Sequence, residues 1–193
     1  MTKLSTLLLL LVLITNAYAG GDEEMQTRVN ESRAVIKEFA GQLVGRLQQA
    51  LQEGGPENAI QVCNIAAPGI ASNLSDKYNW SIERTSLKIR NPNNEPDAWE
   101  QTVLKGFEQR KQNGADVTKL DYYEMTPDGF RYMKAIPTQA LCLTCHGETV
   151  ADSVKSKLAE LYPNDKATGF KIGDIRGAFT IIQRASLPVS KQY

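Results

Sequence analysis

The chain has one histidine and three cysteines among its 193 residues. An odd number of thiols cannot all be consumed in disulfides, so at least one requires another explanation. Neither charge is in excess, with 22 basic residues against 22 acidic ones, and there is no basic stretch. A nucleic-acid or anionic-lipid surface held by charge is therefore not expected. After the first twenty residues no apolar run approaches the roughly 20 residues that a bilayer-spanning helix needs. Internal repeats and low-complexity segments are also missing, which points to one ordinary globular domain.

What is present begins with "MTKLSTLLLLLVLITNAYAG", in which a lone Lys3 precedes an apolar run over Leu7 to Ile14 and then Ala17-Tyr18-Ala19. This pattern predicts a secretory signal peptide over residues 1–19, cleaved before Gly20, with retention as an anchor as the alternative. No cysteine follows the cleavage site to carry a lipid. The expectation is a periplasmic or otherwise exported protein with no stable membrane insertion, whose residues 20–193 form a single domain.

Apolar residues recur at Ile36, Phe39, Ala40, Leu43, Val44, Leu47 and Leu51, which predicts one face of a long helix from about Glu24 to Gln52. Gly54-Gly55 stops it, and Pro56 opens a second helix to about Ala66. A break at Ala67-Pro68 is expected before a short third helix from Ile70 to Leu74. The apolar stripe of the long helix serves equally to cover the protein's own sheet or to pair with a second copy, so it leaves the oligomeric state open. "WSIERTSLKIR" alternates Ile82, Arg84, Ser86 and Lys88 against Glu83, Thr85, Leu87 and Ile89 and predicts a strand. "RNPNNEPD" is a loop, and Pro96-Asp97 opens a helix carrying Trp99, Val103, Leu104 and Phe107. Two strands, "LDYYEM" and "FRYMKAI", flank the Asp128-Gly129 turn. A helix from Val150 to Leu161 and a last strand, "GDIRGAFTIIQ", complete the chain. Strands and helices do not alternate regularly, so an antiparallel sheet with packed helices, an α+β fold, is predicted.

Two cysteines and the only histidine lie together in "CLTCHG" as Cys142, Cys145 and His146. Cys-x-x-Cys-His is the attachment sequence of c-type haem. One short segment supplies two thiols that add to the porphyrin vinyl groups and an adjacent imidazole for the iron. Three rival readings are weaker, one of them a chance occurrence of the motif. A thioredoxin-like redox disulfide would leave His146 incidental. A zinc site recruiting Cys142, Cys145 and Cys63 would require ligands spaced apart, whereas His146 adjoins Cys145.

Haem iron has two axial positions and His146 fills one. Without a second histidine, the candidates for the other are Cys63, Met25, Met125, Met133, water or nothing. The apolar helical setting "AIQVCNIA" favours Cys63 over any one methionine, and suits an inert core thiol equally well.

The segments "QVCNIAAPGIA", "RTSLKIRNPNNEPDAWE", "ALCLTCHG", "YPNDKATGF" and "GDIRGAFTI", in this order across nearly the whole chain after residue 19, resemble the PAS-like c-type haem domains. These occur as free exported proteins and as extracytoplasmic sensor domains. The resemblance implies a PAS-like central antiparallel sheet with a long N-terminal helix and flanking short helices. It implies one covalently attached haem c and a distal cysteine, carried over here to Cys63 opposite His146. It also suggests Arg90 and Asn91 as contacts of the haem propionates, although both residues serve equally well as loop formers before Pro92.

These readings converge on an exported monohaem c-type cytochrome in electron transfer or redox sensing, working with a redox or signalling protein partner. The alternatives are a haem-based gas sensor acting through a partner protein, and a thiol-disulfide redox protein. An enzyme is not expected, because filled axial positions keep substrate from the iron and no general acid or base lies near Cys63 in sequence. The chain ends at Tyr193 without a transmembrane helix, kinase or cyclase, so signalling is expected to pass through the partner.

Overall fold

The computed structural model describes the backbone of residues 3–184 and the side chains of residues 21–184, and the side chains of the expected leader lie outside the described residues. Helix α1 spans Lys3–Tyr78 with a kink at Gly54 and Gly55. The backbone of Gly55 takes φ 73°, a left-handed conformation open to glycine at little cost. This kink turns α1 into two arms that fold back on each other. Lys77 and Tyr78, at the end of the second arm, both bond the Glu38 carboxylate on the first, at 2.9 and 2.8 Å. Asn79, at φ 55°, then ends the helix.

The expected break at Ala67-Pro68 does not occur, because the helix continues through Pro68. Proline removes one backbone donor and crowds the preceding turn. Here its exposed ring lies on the solvent side, while Ala67, Ile70 and Leu74 continue a buried stripe across it. Core burial of about 1.5–3 kcal/mol per large apolar side chain outweighs the lost bond.

Four strands form one antiparallel sheet in the order β1-β4-β3-β2: β1 Ser81–Thr85, β2 Asp121–Thr126, β3 Gly129–Pro137 and β4 Ile175–Gln183. Strands β2 and β3 are joined through Pro127-Asp128, with Thr126 opposite Gly129. Gly129 adopts φ 121°, which explains the glycine of the expected Asp-Gly turn. Strand β1 is shorter than its alternation predicts. Beyond Thr85 the hydroxyl of Ser86 bonds the Arg176 carbonyl at 2.8 Å and accepts from the Lys88 N–H at 3.2 Å, which turns the chain off the sheet.

Each face of the sheet is covered by helix. On one, Val35, Ile36 and Phe39 of the first arm and Ile70 and Leu74 of the second pack on Ile82, Phe130, Tyr132, Phe179 and Ile181. The stripe of α1 as far as Leu43 therefore covers the protein's own sheet, whereas Val44 is exposed and Leu47 and Leu51 lie outside this cluster. On the other, α2 (Ala98–Gln112) sets Val103, Leu104 and Phe107 against Met133, Ala135, Ile175 and Ala178. Asp97 and Glu100 close a reciprocal capping box at the start of α2, the turn expected from Pro96-Asp97. Two further helices, α3 (Leu143–His146) and α4 (Asp152–Leu161), lie against the second arm of α1. The architecture is α+β and PAS-like. Among the described residues no helix is long and apolar enough to cross a membrane.

Candidate functional site

The Cys-rich segment is a compact double turn. A 3-10 turn over Ala140–Cys142 leads directly into α3, and the Cys142 Sγ accepts a hydrogen bond from the Gln139 N–H at 3.4 Å. Gly147 ends α3, donating to the Leu143 carbonyl at 2.9 Å. A side chain there would collide with that carbonyl, so the glycine is needed for close approach. The strand-like stretch after α4 straps the motif down. Phe170 N–H bonds the His146 carbonyl and Gly169 N–H bonds the Gly147 carbonyl, both at 2.9 Å.

The His146 ring is half-buried, and its Nδ1 sits 2.6 Å from the carbonyl oxygen of Ala167. A carbonyl only accepts, so Nδ1 carries the proton and Nε2 keeps a lone pair. Burial, followed by repulsion from Arg176 and Arg90, holds the ring well below its ordinary pKa and keeps it neutral. Its edge meets the ring of Phe170 at a centroid separation of 6.2 Å. A neutral imidazole with Nδ1 fixed by a carbonyl and a lone pair on Nε2 is the form that binds a metal.

Cys63, on the second arm of α1, is half-buried, as are Cys142 and Cys145. Burial pushes the Cys63 and Cys145 thiols up, and the two lie close enough for their charges to interact. Arg84 of β1 opposes the burial effect at Cys63 and also acts on His146, so a single guanidinium links the two. Cys145 also packs against Ile60, Val150, Val154 and Leu158, which tie α4 to α1. The methionines are elsewhere. Met133 is fully buried under α2 on the opposite sheet face, Met125 is exposed on the edge strand β2, and Met25 packs on the first arm's cluster.

Arg90 reaches this centre. Its Nη2 donates to the Cys145 carbonyl at 2.6 Å and to the Ala167 carbonyl at 3.3 Å, and meets Asp165 at 2.9 Å. Its Nη1 is 3.5 Å from His146 Nε2. The Asp165 carboxylate also accepts from the Ala167 N–H at 2.8 Å, so one acid fixes both the guanidinium and the carbonyl that holds His146. Asn91 behaves differently. Its side-chain oxygen accepts from Asn93 N–H at 3.0 Å and caps the Pro92–Asn94 turn.

Two residues that the motif reasoning did not single out complete the centre. Arg176 places its Nε 3.2 and 3.4 Å from the two ring nitrogens of His146, and its Nη1 bonds Ser86 Oγ at 3.2 Å. Burial, then repulsion from Arg90 and Arg84, pushes it down to about 10, which leaves it charged at neutral pH. Arg84 lies on the same face of β1 as buried Ile82, so an inward cation within a strand was its legible signal. Arg176 had none, since Gly177 at φ 154° resets the alternation of β4.

The donor set fits a porphyrin iron. Two thiols precede a neutral imidazole on one short segment, a third thiol comes from α1, and a cationic surround suits an anionic group. The zinc arrangement is not formed. Among the described residues no three His, Cys, Asp or Glu side chains converge as a metal-binding group, and all three cysteines are free.

A sequence model of the family described as Tll0287-like matches residues 15–184. Among solved structures, the chain is similar to the crystal structure of the cyanobacterial haem protein Tll0287. The two superpose with a TM-score of 0.64 at 22% identity, covering 84% of this chain and 98% of that one. At that identity the likeness carries the fold. No curated protein matches the chain.

Proposed function

The chain belongs to the Tll0287-like family, and from that premise we propose that it is a haem protein: an exported monohaem c-type cytochrome in electron transfer or redox sensing. The observation that carries this reading is His146, whose Nδ1 is committed to the Ala167 carbonyl at 2.6 Å while Nε2 keeps its lone pair beside Cys142 and Cys145. In this reading Cys142 and Cys145 would hold one haem c as thioethers, and His146 and Cys63 would be the residues that ligate its iron. Bound there, the group supplies a one-electron iron couple.

The protein's own side chains set the conditions for that couple. The Ala167 carbonyl fixes the tautomer and orientation of His146 and makes Nε2 a better donor. Arg84 supplies positive charge next to Cys63, and a thiolate is a strong donor that favours the oxidised metal. Ala167 and Phe170 pack against the imidazole and hold its orientation. The similar solved structure is that of a haem protein, which supports the cofactor. The role is non-enzymatic and exercised outside the cytoplasm after removal of residues 1–19, with a redox or signalling protein as partner.

The test is the ferric absorption and electron paramagnetic resonance of protein made with a haem-attachment system, wild type beside Cys63→Ala. A low-spin thiolate signature lost in the variant is expected. Unchanged spectra would remove Cys63 from the iron. Carbon monoxide added to the ferrous protein then separates the two roles, since rapid binding indicates a sensor and refusal an electron carrier.

A further inference from the structure

Three guanidiniums surround His146, and only one has a carboxylate. Arg90 is paired with Asp165 at 2.9 Å and uses the same Nη2 on the carbonyls of Cys145 and Ala167. Arg176 bonds only neutral groups: His146, the Ser86 hydroxyl and the Lys88 carbonyl. Arg84 has, among the described residues, no hydrogen-bond or ion-pair partner, and its guanidinium lies 5.8 Å from the Phe39 ring centroid. Both are half-buried, and Arg84, like Arg90, weakens the hold of Arg176 on its proton. Two cations withdrawn from water without counter-ions are unfavourable by themselves. Such a pair is made favourable by an anion with two charges.

Resting on the haem reading above, we propose that Arg84 and Arg176 hold the two carboxylates of the haem, and that Arg90 is a positioning residue for the Cys142–His146 segment. The count agrees: two guanidiniums lack an acid, and the group carries two propionates. The placement agrees as well. Arg84 and Arg176 stand on the neighbouring strands β1 and β4, Arg84 paired opposite Phe179 and Arg176 two residues before Ala178, the partner of Thr85, at the bulge of β4. The planar fork of arginine matches a carboxylate through two parallel bonds, and an ammonium does not. Arg90 keeps a buried Nε without a partner, but its charge is already matched by Asp165. Its Nη2 is spent on the backbone of the motif and on Asp165, and its task is to keep the Cys145 and Ala167 carbonyls, and through them His146, in place.

The experiment compares wild type with Arg84→Gln, Arg176→Gln and Arg90→Gln, all produced with a haem-attachment system. Haem staining of denaturing gels reports covalent attachment, resonance Raman reports the propionate bending and iron–histidine bands, and voltammetry reports the potential. Covalent haem in wild type upholds the haem reading, and its absence overturns that reading together with the proposal. With haem attached, Arg84→Gln and Arg176→Gln are each expected to shift the propionate bands and to lower the potential, because a positive charge beside the reduced centre is lost. Arg90→Gln is expected to leave the propionate bands in place, to shift the iron–histidine band and to lower attachment yield, with recovery in Arg90→Lys. Propionate bands that move in Arg90→Gln and stay fixed in the other two overturn the proposal. If a glutamine variant does not accumulate, Arg84→Lys and Arg176→Lys keep the charge and lose the fork, and unshifted propionate bands in both would equally overturn it.

Discussion

The Arg90 guanidinium meets the Asp165 carboxylate at 2.9 Å, and both side chains are 11% exposed. The same carboxylate accepts the Ala167 N–H, so the ion pair and the carbonyl that anchors His146 Nδ1 form one unit. Asp165→Asn removes the charge and leaves Arg90 buried with no acid. The expected loss is about 3 kcal/mol, the order found when one partner of a buried pair is removed. Denaturant midpoints of the haem-loaded variant and wild type measure it, and a change within error would show that water already screens the pair.

Gly177 takes φ 154°, and a side chain there would run into the backbone carbonyl of Thr85. A carbonyl held between β1 and β4 cannot swing aside as a flexible side chain could. Gly177→Ala is expected to cost about 1–3 kcal/mol, the range for a residue forced into sparsely populated backbone. It should also disturb the neighbouring Arg176. Thermal melting tests the first effect, and a melting temperature equal to that of wild type would contradict it.

That glycine also marks where the sequence stops being legible. The α+β class, the hairpin, α2 with its cap and the grouping of Ile82 with Arg84 follow from period and turn chemistry, which are local. The expected helix break at Ala67-Pro68 failed because the deciding term is distant: Ile70 and Leu74 are held by Ile82, Phe179 and Ile181. The motif of Cys142, Cys145 and His146 is contiguous and readable, and the structure brings Arg90 to it. Asp165 was readable only within a family-like segment, and Arg176 was not readable, because a single bulge-forming glycine re-aims its side chain. Asn91, grouped with Arg90 by adjacency, caps a turn instead.

Asp97 supplies a pH test. Burial raises its pKa, but the hydrogen bond from the Glu100 backbone and the bond and charge of Arg131 outweigh that and hold it below the ordinary 3.8. A carboxylate depressed on folding stabilises the protein fully above its unfolded value and loses that contribution as pH falls through the folded one. The Asp97 side chain is 51% exposed, so solvent screens the pair with Arg131. Asp97→Asn keeps a capping oxygen and removes the charge, and is expected to cost roughly 0.5 kcal/mol at neutral pH. The gap between variant and wild type should close as pH drops below 3.8. Denaturation at pH 6 and pH 3 measures it, and a gap that widens in acid would reverse the sign assigned here.

Met133 is the methionine most deeply built into the fold, with no exposed surface, and it faces Val103, Leu104 and Phe107 of α2. Cys63 and His146 belong to the other side of the sheet, so the thioether has no route to the iron without unpacking α2. Met133→Leu conserves volume and is expected to cost under about 1.5 kcal/mol. It should leave the ferric spectrum and the reduction potential of the haem protein unchanged. A methionine ligand replaced by leucine would instead vacate an axial position and convert a low-spin iron to high spin. Absorption spectroscopy distinguishes the outcomes in one sample, and a low-spin to high-spin change in Met133→Leu would return the distal position to methionine and refute the role assigned to Cys63.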